Sequence, residues 1–334
     1  VALDSIITYA ITVGASDIHF DPILNGIQVR LRIDGLLTEY MLVDATDADM
    51  LVNRIKVFSG MDISEKRLPQ DGRWEWSVKS YAVTMRVSSL PSLYGEAIVC
   101  RLMGNEGVHK NLLELGMDVE LQEKIAVLLK RPYGLITICG PTGSGKTATL
   151  YAMLRMLNLK ETKLICLEDP VEATIEGAIQ IGINEKIGFT FSKGLRTVLR
   201  QDPDSIMIGE IRDNETAQLA VKAALTGHRV ITTVHTNTAL GVIGRLVDMG
   251  VEPYLLHATL IGSLSQRLVR RIDSTTHSYQ GRLGLFEYLE IPFSDIDWDH
   301  VEQYMFTSLQ DSAHLAINSG ITTLEEVHRA GILL

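Results

Sequence analysis

Eight consecutive residues, Gly140-Pro141-Thr142-Gly143-Ser144-Gly145-Lys146-Thr147, have the spacing G-x-x-x-x-G-K-[ST] of a phosphate-binding loop. Glycines at these places let backbone N–H groups close around phosphate oxygens, and a following helix adds a favourable dipole. Lys146 is placed to reach the β- and γ-phosphates of a nucleotide, and Thr147 to ligate Mg²⁺. The flanks suit the motif better than an ordinary glycine-rich turn would need. The apolar run Gly134 to Cys139 reads as a strand, and Ala148 to Leu157 reads as a helix.

Other residues of chemical interest follow later in the chain. Lys163 to Leu167 reads as a strand that runs into Glu168-Asp169-Pro170-Val171-Glu172. Transfer of a phosphoryl group to water needs an acceptor that orients the attacking water, and Glu168 is the candidate. The plainer alternative is a set of solvated loop acids. A second strand, Ser205 to Ile208, leads to Gly209-Glu210, where a usual magnesium-binding strand ends in Asp; Glu210 is expected to hold the magnesium shell through water. Arg229 to Val234 leads to His235, either a hydrogen-bonded structural histidine or a sensor of the γ-phosphate. Arg196 and Arg200 share one helix face at i, i+4, and Arg86 and Arg101 lie on two strands joined by a turn over Leu90–Glu96. Surface arginines are common, but phosphoryl transfer uses guanidinium groups to neutralise charge.

The elements that must position these residues fall into two groups. Residues 1–103 read as a smaller mixed α/β domain. It has a helix over Ala2–Val13, a helix over Asp47–Phe58 with Asp47 as N-cap, and strands at Ile18–Phe20, Ile27–Ile33, Leu36–Leu42, Arg73–Val78, Tyr81–Val87 and Ala97–Leu102. A polar stretch over 104–111 reads as a linker. From 112 to 334 strands alternate with helices at Phe191–Arg200 and Glu215–Leu225, which predicts a parallel sheet covered on both faces. Ligands of such sheets bind beyond the carboxyl ends of the strands. The last forty residues read as helical.

Composition narrows the class. A hydrophobic content of 46%, a charged content of 22% and 334 residues fit an ordinary globular protein of two domains. The formal net charge of −10 and aromatic content of 6% argue against a nucleic-acid footprint. Cys100, Cys139 and Cys166 form no disulfide framework or zinc-binding spacing, which points to a reducing cytoplasm. No apolar run reaches membrane-spanning length, so membrane association is expected to go through a partner. The chain begins at Val1 and not at Met, which leaves room for upstream residues.

The ordered set of motifs resembles the ATPases of type II secretion and type IV pilus assembly, which are RecA-like hexameric motors. The resemblance runs from Ala15 to Glu290. It includes Ala15-Ser16-Asp17-Ile18-His19, Arg30 to Gly35, Arg67 to Gly72, Arg86 to Pro91 and the P-loop. Further on come Leu167 to Glu172, Asn184 to Gly188, Leu199 to Asp204, Gly209 to Asp213, and Thr226-Gly227-His228 through His235-Thr236-Asn237. It implies a RecA-like P-loop ATPase domain preceded by a PAS-like α/β domain, with ATP and Mg²⁺ as ligands. In the family pattern Glu168 is the catalytic glutamate, Arg86 and Arg101 approach nucleotide when the domains close, and Arg196 and Arg200 contact phosphate. A homo-hexamer is implied, bound to an inner-membrane platform protein at the cytoplasmic face of the membrane and cycling between ATP and ADP.

Many members of that family carry four zinc-binding cysteines after the segment corresponding to Gln266-Arg267-Leu268; Arg270 to Arg282 holds none, so no zinc is expected. Many also carry a further N-terminal docking domain. Without either feature the chain is most similar to the ATPases of Gram-positive competence pseudopili. The expected function is therefore assembly of a type IV pilus, competence pseudopilus or secretion pseudopilus. The alternatives are a pilus retraction motor, a RecA-like nucleic-acid motor and a nucleotide-switched scaffold.

Overall fold

The computed structural model describes residues 3–78, 81–103, 107–292, 294 and 296–334. The chain divides into two compact units, one ending at Glu106 and the other starting at Gly107. Of the stretch expected to be a linker, 104–106 lie outside the described residues and 107–111 belong to the second unit. Ala2, expected to open the first helix, also lies outside them.

The first unit comprises α1 (Leu3–Thr12), β1 (Ala15–Ile23), β2 (Gly26–Ile33), β3 (Leu36–Asp44), α2 (Ala45–Phe58), β4 (Gln70–Val78), β5 (Tyr81–Ser92) and β6 (Gly95–Met103). Its strands form a six-stranded sheet in the order β3-β2-β1-β6-β5-β4, with antiparallel neighbours. Ile6, Ile7 and Ala10 of α1 and Leu51, Val52 and Ile55 of α2 pack with Ile18, Phe20, Val29, Leu31, Met85, Val87 and Ile98. These strand residues alternate with polar ones, as a sheet with one covered face requires. Two local expectations are corrected. The N-cap of α2 is Asp44, because β3 runs directly into the helix; Asp47 lies in the first turn, where its charge favours the helix dipole. The turn between β5 and β6 is only Leu93-Tyr94, since the ladder continues to the pair Ser92–Gly95.

Elements of the second unit are α3 (Val119–Leu128), β7 (Gly134–Cys139), α4 (Lys146–Leu154), β8 (Leu164–Glu168), β9 (Ile179–Gly182), α5 (Phe191–Val198), β10 (Ser205–Ile208), α6 (Asn214–Leu225), β11 (Arg229–Val234), α7 (Gly241–Asp248), α8 (Pro253–Thr259), β12 (Leu260–Ile272), β13 (Tyr279–Glu290), β14 (Met305–Thr307), α9 (Leu309–Asn318) and α10 (Leu324–Arg329). The sheet order is β14-β13-β12-β7-β11-β10-β8-β9. The run from β12 to β9 is parallel, as expected, and β7, β8, β10 and β11 are buried almost throughout. The sheet then continues antiparallel through β13 and β14. One apolar core joins α5, α6 and α7 to the sheet, and another joins α3 and α4.

The C-terminal stretch is not all helix: β14 adds an edge strand to β13 before α9 and α10. Those helices pack their apolar faces on Val269 and Leu285. Glu326 of α10 is buried, where Arg270 of β12 and Arg329 both donate to it.

Candidate active site

In the parallel part of the sheet, all strands point the same way, so their carboxyl ends share one edge. Along it stand, in spatial order, the P-loop after β7, His235 after β11, Gly209-Glu210 after β10, and Glu168 as the last residue of β8. Three strand spacings separate β7 from β8, or about 14 Å. Chain order does not show this neighbourhood, because β8 follows β7 in sequence but lies three strands away.

The P-loop backbone is shaped by glycines with positive φ. Gly140, Gly143 and Gly145 have φ of 144°, 77° and 88°. A Cβ on Gly140 would lie 2.6 Å from the Gln266 carbonyl and 2.5 Å from Ser144 Oγ, so this position requires glycine. Pro141 and Thr142 are exposed on the loop, and α4 starts at Lys146 with Gly145 as N-cap. The Lys146 ammonium donates to the carbonyls of Gly140 and Pro141, both at 2.9 Å. Burial lowers its pKa, while the charge of Glu210 works the other way. Thr147 stands beside it at the start of the helix.

The two carboxylates differ. Glu168 is 3% exposed, and its hydrogen bonds come from Tyr151 Oη and, at 2.9 Å, from Gln180 Nε2. Burial raises its pKa, and these neutral donors offset part of the rise. The expectation of a solvated loop acid therefore does not describe it. Glu210 accepts from Arg212 at 2.6 Å and lies 3.4 Å from His235 Nε2. Burial pushes its carboxyl up, but Arg212 and His235 outweigh it and the pKa lies below the usual value. Gly209 is held by a bond from its N–H to Leu167 O and from Thr233 Oγ1 to its own carbonyl. A Cβ there would come within 3.2 Å of Leu167 O, which explains glycine where an acid commonly stands. Arg212 also reaches towards Asp169, at 3.9 Å.

The arginines stand on other elements. Arg196 pairs with Glu215 at 2.6 Å, and Arg200 donates to the Arg196 carbonyl at 2.8 Å. Arg86 and Arg101 belong to the first unit, directly opposite one another on β5 and β6. The register adds Arg73 of β4 opposite Arg86, and Asp17 of β1 opposite Arg101. Arg101 Nε bonds Asp17 Oδ1 at 2.8 Å. The result is a lateral row of three arginines ending on a buried aspartate.

The residues of the P-loop fit a bound phosphate chain and its metal. Ser144 Oγ and Gln266 Nε2 are buried beside the loop without hydrogen-bond partners among the described residues, as groups awaiting an anion would be. Thr147 and Glu210 supply oxygen ligands of the kind Mg²⁺ prefers.

Residues 1–329 match the family model described as "Type II/IV secretion system protein". The chain belongs to this secretion-system family. It is 49% identical to the type II secretion system protein E of Klebsiella pneumoniae over 270 residues, which cover 81% of this chain and 54% of that protein. The chain thus spans about half the length of the curated relatives it matches first. Identity to the type II secretion system ATPase E of Vibrio cholerae is 40%, over 98% of this chain and 74% of that protein. Among solved structures, the pilus retraction motor PilT with bound ADP aligns with a TM-score of 0.70 and 29% identity, covering 99% of this chain and 97% of that one. The Legionella pneumophila ATPase DotB aligns at 0.77 and 23% identity over 99% and 95%, a likeness of fold. The two-part α/β architecture with a RecA-like P-loop domain is therefore that of secretion ATPases. Similarity to a competence protein in particular is not among these likenesses.

Motif reading of this family member missed Tyr151, Gln180 and Gln266. Tyr151 has a sequence signal, since it stands one helical turn beyond Thr147. Gln180 and Gln266 have none, because only strand register brings them to the edge.

Proposed function

We propose that this chain is the motor part of a secretion or pilus machine that hydrolyses ATP with Mg²⁺. The observation that carries this reading is the shared edge, where a P-loop, a histidine and two differently tuned carboxylates stand on adjacent parallel strands. Backbone N–H groups of Gly143 to Thr147 and the Lys146 ammonium grip the phosphates. Thr147 and, through water, Glu210 would hold the Mg²⁺, which would supply charge neutralisation to the phosphates. Glu168 accepts a proton from water as its oxygen bonds the γ-phosphorus. The bond from that phosphorus to the β–γ bridging oxygen breaks, and ADP and inorganic phosphate leave. His235, bonded to Glu210, links the γ-phosphate region to β11. Arg86, Arg101, Arg196 and Arg200 keep the roles that the resemblance implies, as guanidiniums that meet phosphate.

In this reading the working form is a homo-hexamer at the cytoplasmic face of the membrane, engaged with a platform protein and driving assembly of a pseudopilus or pilus. Likeness to type II secretion proteins supports assembly; the PilT likeness supports retraction as the second reading. A competence pseudopilus is one of the filaments this reading includes. No helix among the described residues is long and apolar enough to cross a membrane. The test is nucleotide binding and phosphate release by the purified chain, with Lys146→Ala as the matched variant. MgATP uptake and turnover in the parent, both lost in the variant, are expected; a parent that takes up no MgATP overturns the proposal.

A further inference from the structure

Tyr151 is fully buried, yet it is a tyrosine where a phenylalanine would fill the same space. A buried hydroxyl is costly unless its hydrogen bonds are made. Here they are made, and the one that the hydroxyl donates goes to the Glu168 carboxylate. The backbone N–H groups of Glu172 and Ala173 donate to Tyr151 Oη at 3.2 and 3.3 Å. With its acceptor positions used, the hydroxyl directs its proton to Glu168 Oε2. Gln180 completes the clamp from the other side. Its Nε2 donates to Glu168 Oε1 at 2.9 Å and to the Ala173 carbonyl at 2.8 Å, and its Oε1 accepts from Ile175 N–H at 2.8 Å. Each oxygen of Glu168 thus receives one neutral donor, and each donor is itself fixed by the loop that follows the strand.

Tyr151 also stands on α4, four residues after Thr147 and five after Lys146. Residues four apart lie on one helix face, so the phosphate-gripping turn and the carboxylate's partner belong to one rigid segment.

We propose that Tyr151 and Gln180 are positioning residues that hold the Glu168 carboxylate in its water-activating orientation, with Tyr151 fixing that orientation to the nucleotide-gripping end of α4. The proposal rests on Glu168 being the base. Both side chains act through Glu168. Both stabilise the ionised carboxylate, which burial disfavours. Removing a donor favours the protonated form, so the base stays protonated to higher pH and the acid limb of the rate profile moves upward.

The experiment is the pH dependence of kcat for MgATP with the full chain, for the parent, Tyr151→Phe and Gln180→Leu. Tyr151→Phe should move the acid limb up by about one pH unit, with roughly a tenfold loss on the acid side of the limb that shrinks as pH rises. Gln180→Leu should move it in the same direction by less. The KM for ATP should stay within about twofold in both. A residue that served only packing would lower the rate equally at every pH. Acid limbs that superimpose on the parent in both variants overturn the proposal, and Gln180→Leu alone decides if Tyr151→Phe does not fold. Glu168→Gln separates the two levels: parental turnover in that variant overturns the base itself, whereas its loss with unmoved limbs in the other two overturns only the clamp.

Discussion

Glu168 and Glu210 stand at the ends of neighbouring strands, and their surroundings push them in opposite directions. Glu168 is enclosed by neutral donors, so burial dominates and its proton affinity rises. Glu210 faces Arg212 and His235, so it remains ionised more readily than a free glutamate. A base needs the first environment, because a carboxylate of higher pKa takes a proton more willingly. A group that helps hold a cation needs the second, because it must stay charged when the cation leaves. Two identical side chains that follow neighbouring strands thereby suit different tasks.

The sharpest way to break this comparison is to neutralise each acid in turn. Glu168→Gln should cost about a thousandfold in turnover, with MgATP affinity nearly unchanged, measured by phosphate release and by titration with a fluorescent nucleotide. Glu210→Gln should cost about 10- to 100-fold, and raising the Mg²⁺ concentration should recover part of it. If Mg²⁺ rescues Glu168→Gln instead, the assignments are reversed. Arg212→Ala is expected to be milder, about three- to tenfold at the acid end of the rate profile. It removes the guanidinium that holds Glu210 ionised, so the carboxyl titrates at higher pH, and the loss should fade as pH rises.

Another buried acid gives the control. Burial works to raise Glu326, yet hydrogen bonds from Arg270 and Arg329 hold it down at about 2. A depressed folded-state pKa contributes stability that is present above the ordinary glutamate value and is lost as pH falls from there towards 2. Glu326→Gln should lower the stability by about 3 kcal/mol, by leaving cationic partners uncompensated. It should also flatten the dependence of Tm on pH over that window. Turnover at neutral pH should not change. A change in turnover comparable to that of Glu210→Gln would mean that the strand-end acids owe their effects to general stability.

Much of the candidate site is legible in runs of consecutive residues. The P-loop spacing fixes its own backbone requirements, since only glycine takes the φ values at Gly140, Gly143 and Gly145 cheaply. Short apolar runs ending in Glu168, Glu210 and His235 identify β8, β10 and β11, because strands buried on both faces leave an unbroken apolar signature. The long hairpin of β12 and β13 leaves no such signature, with serines and glycines interrupting β12.

Chemistry carried by consecutive residues was determined by the sequence itself: the phosphate loop, the acids that end the strands, and the family to which they belong. Which acid is raised and which lowered was decided only by the fold. Those differences come from the burial of Glu168 and from Arg212 and His235 beside Glu210; the burial and the approach of His235 depend on strand order. Local patterns record the period of a strand or helix. They do not record which strand becomes its neighbour, and a pKa is set by neighbours.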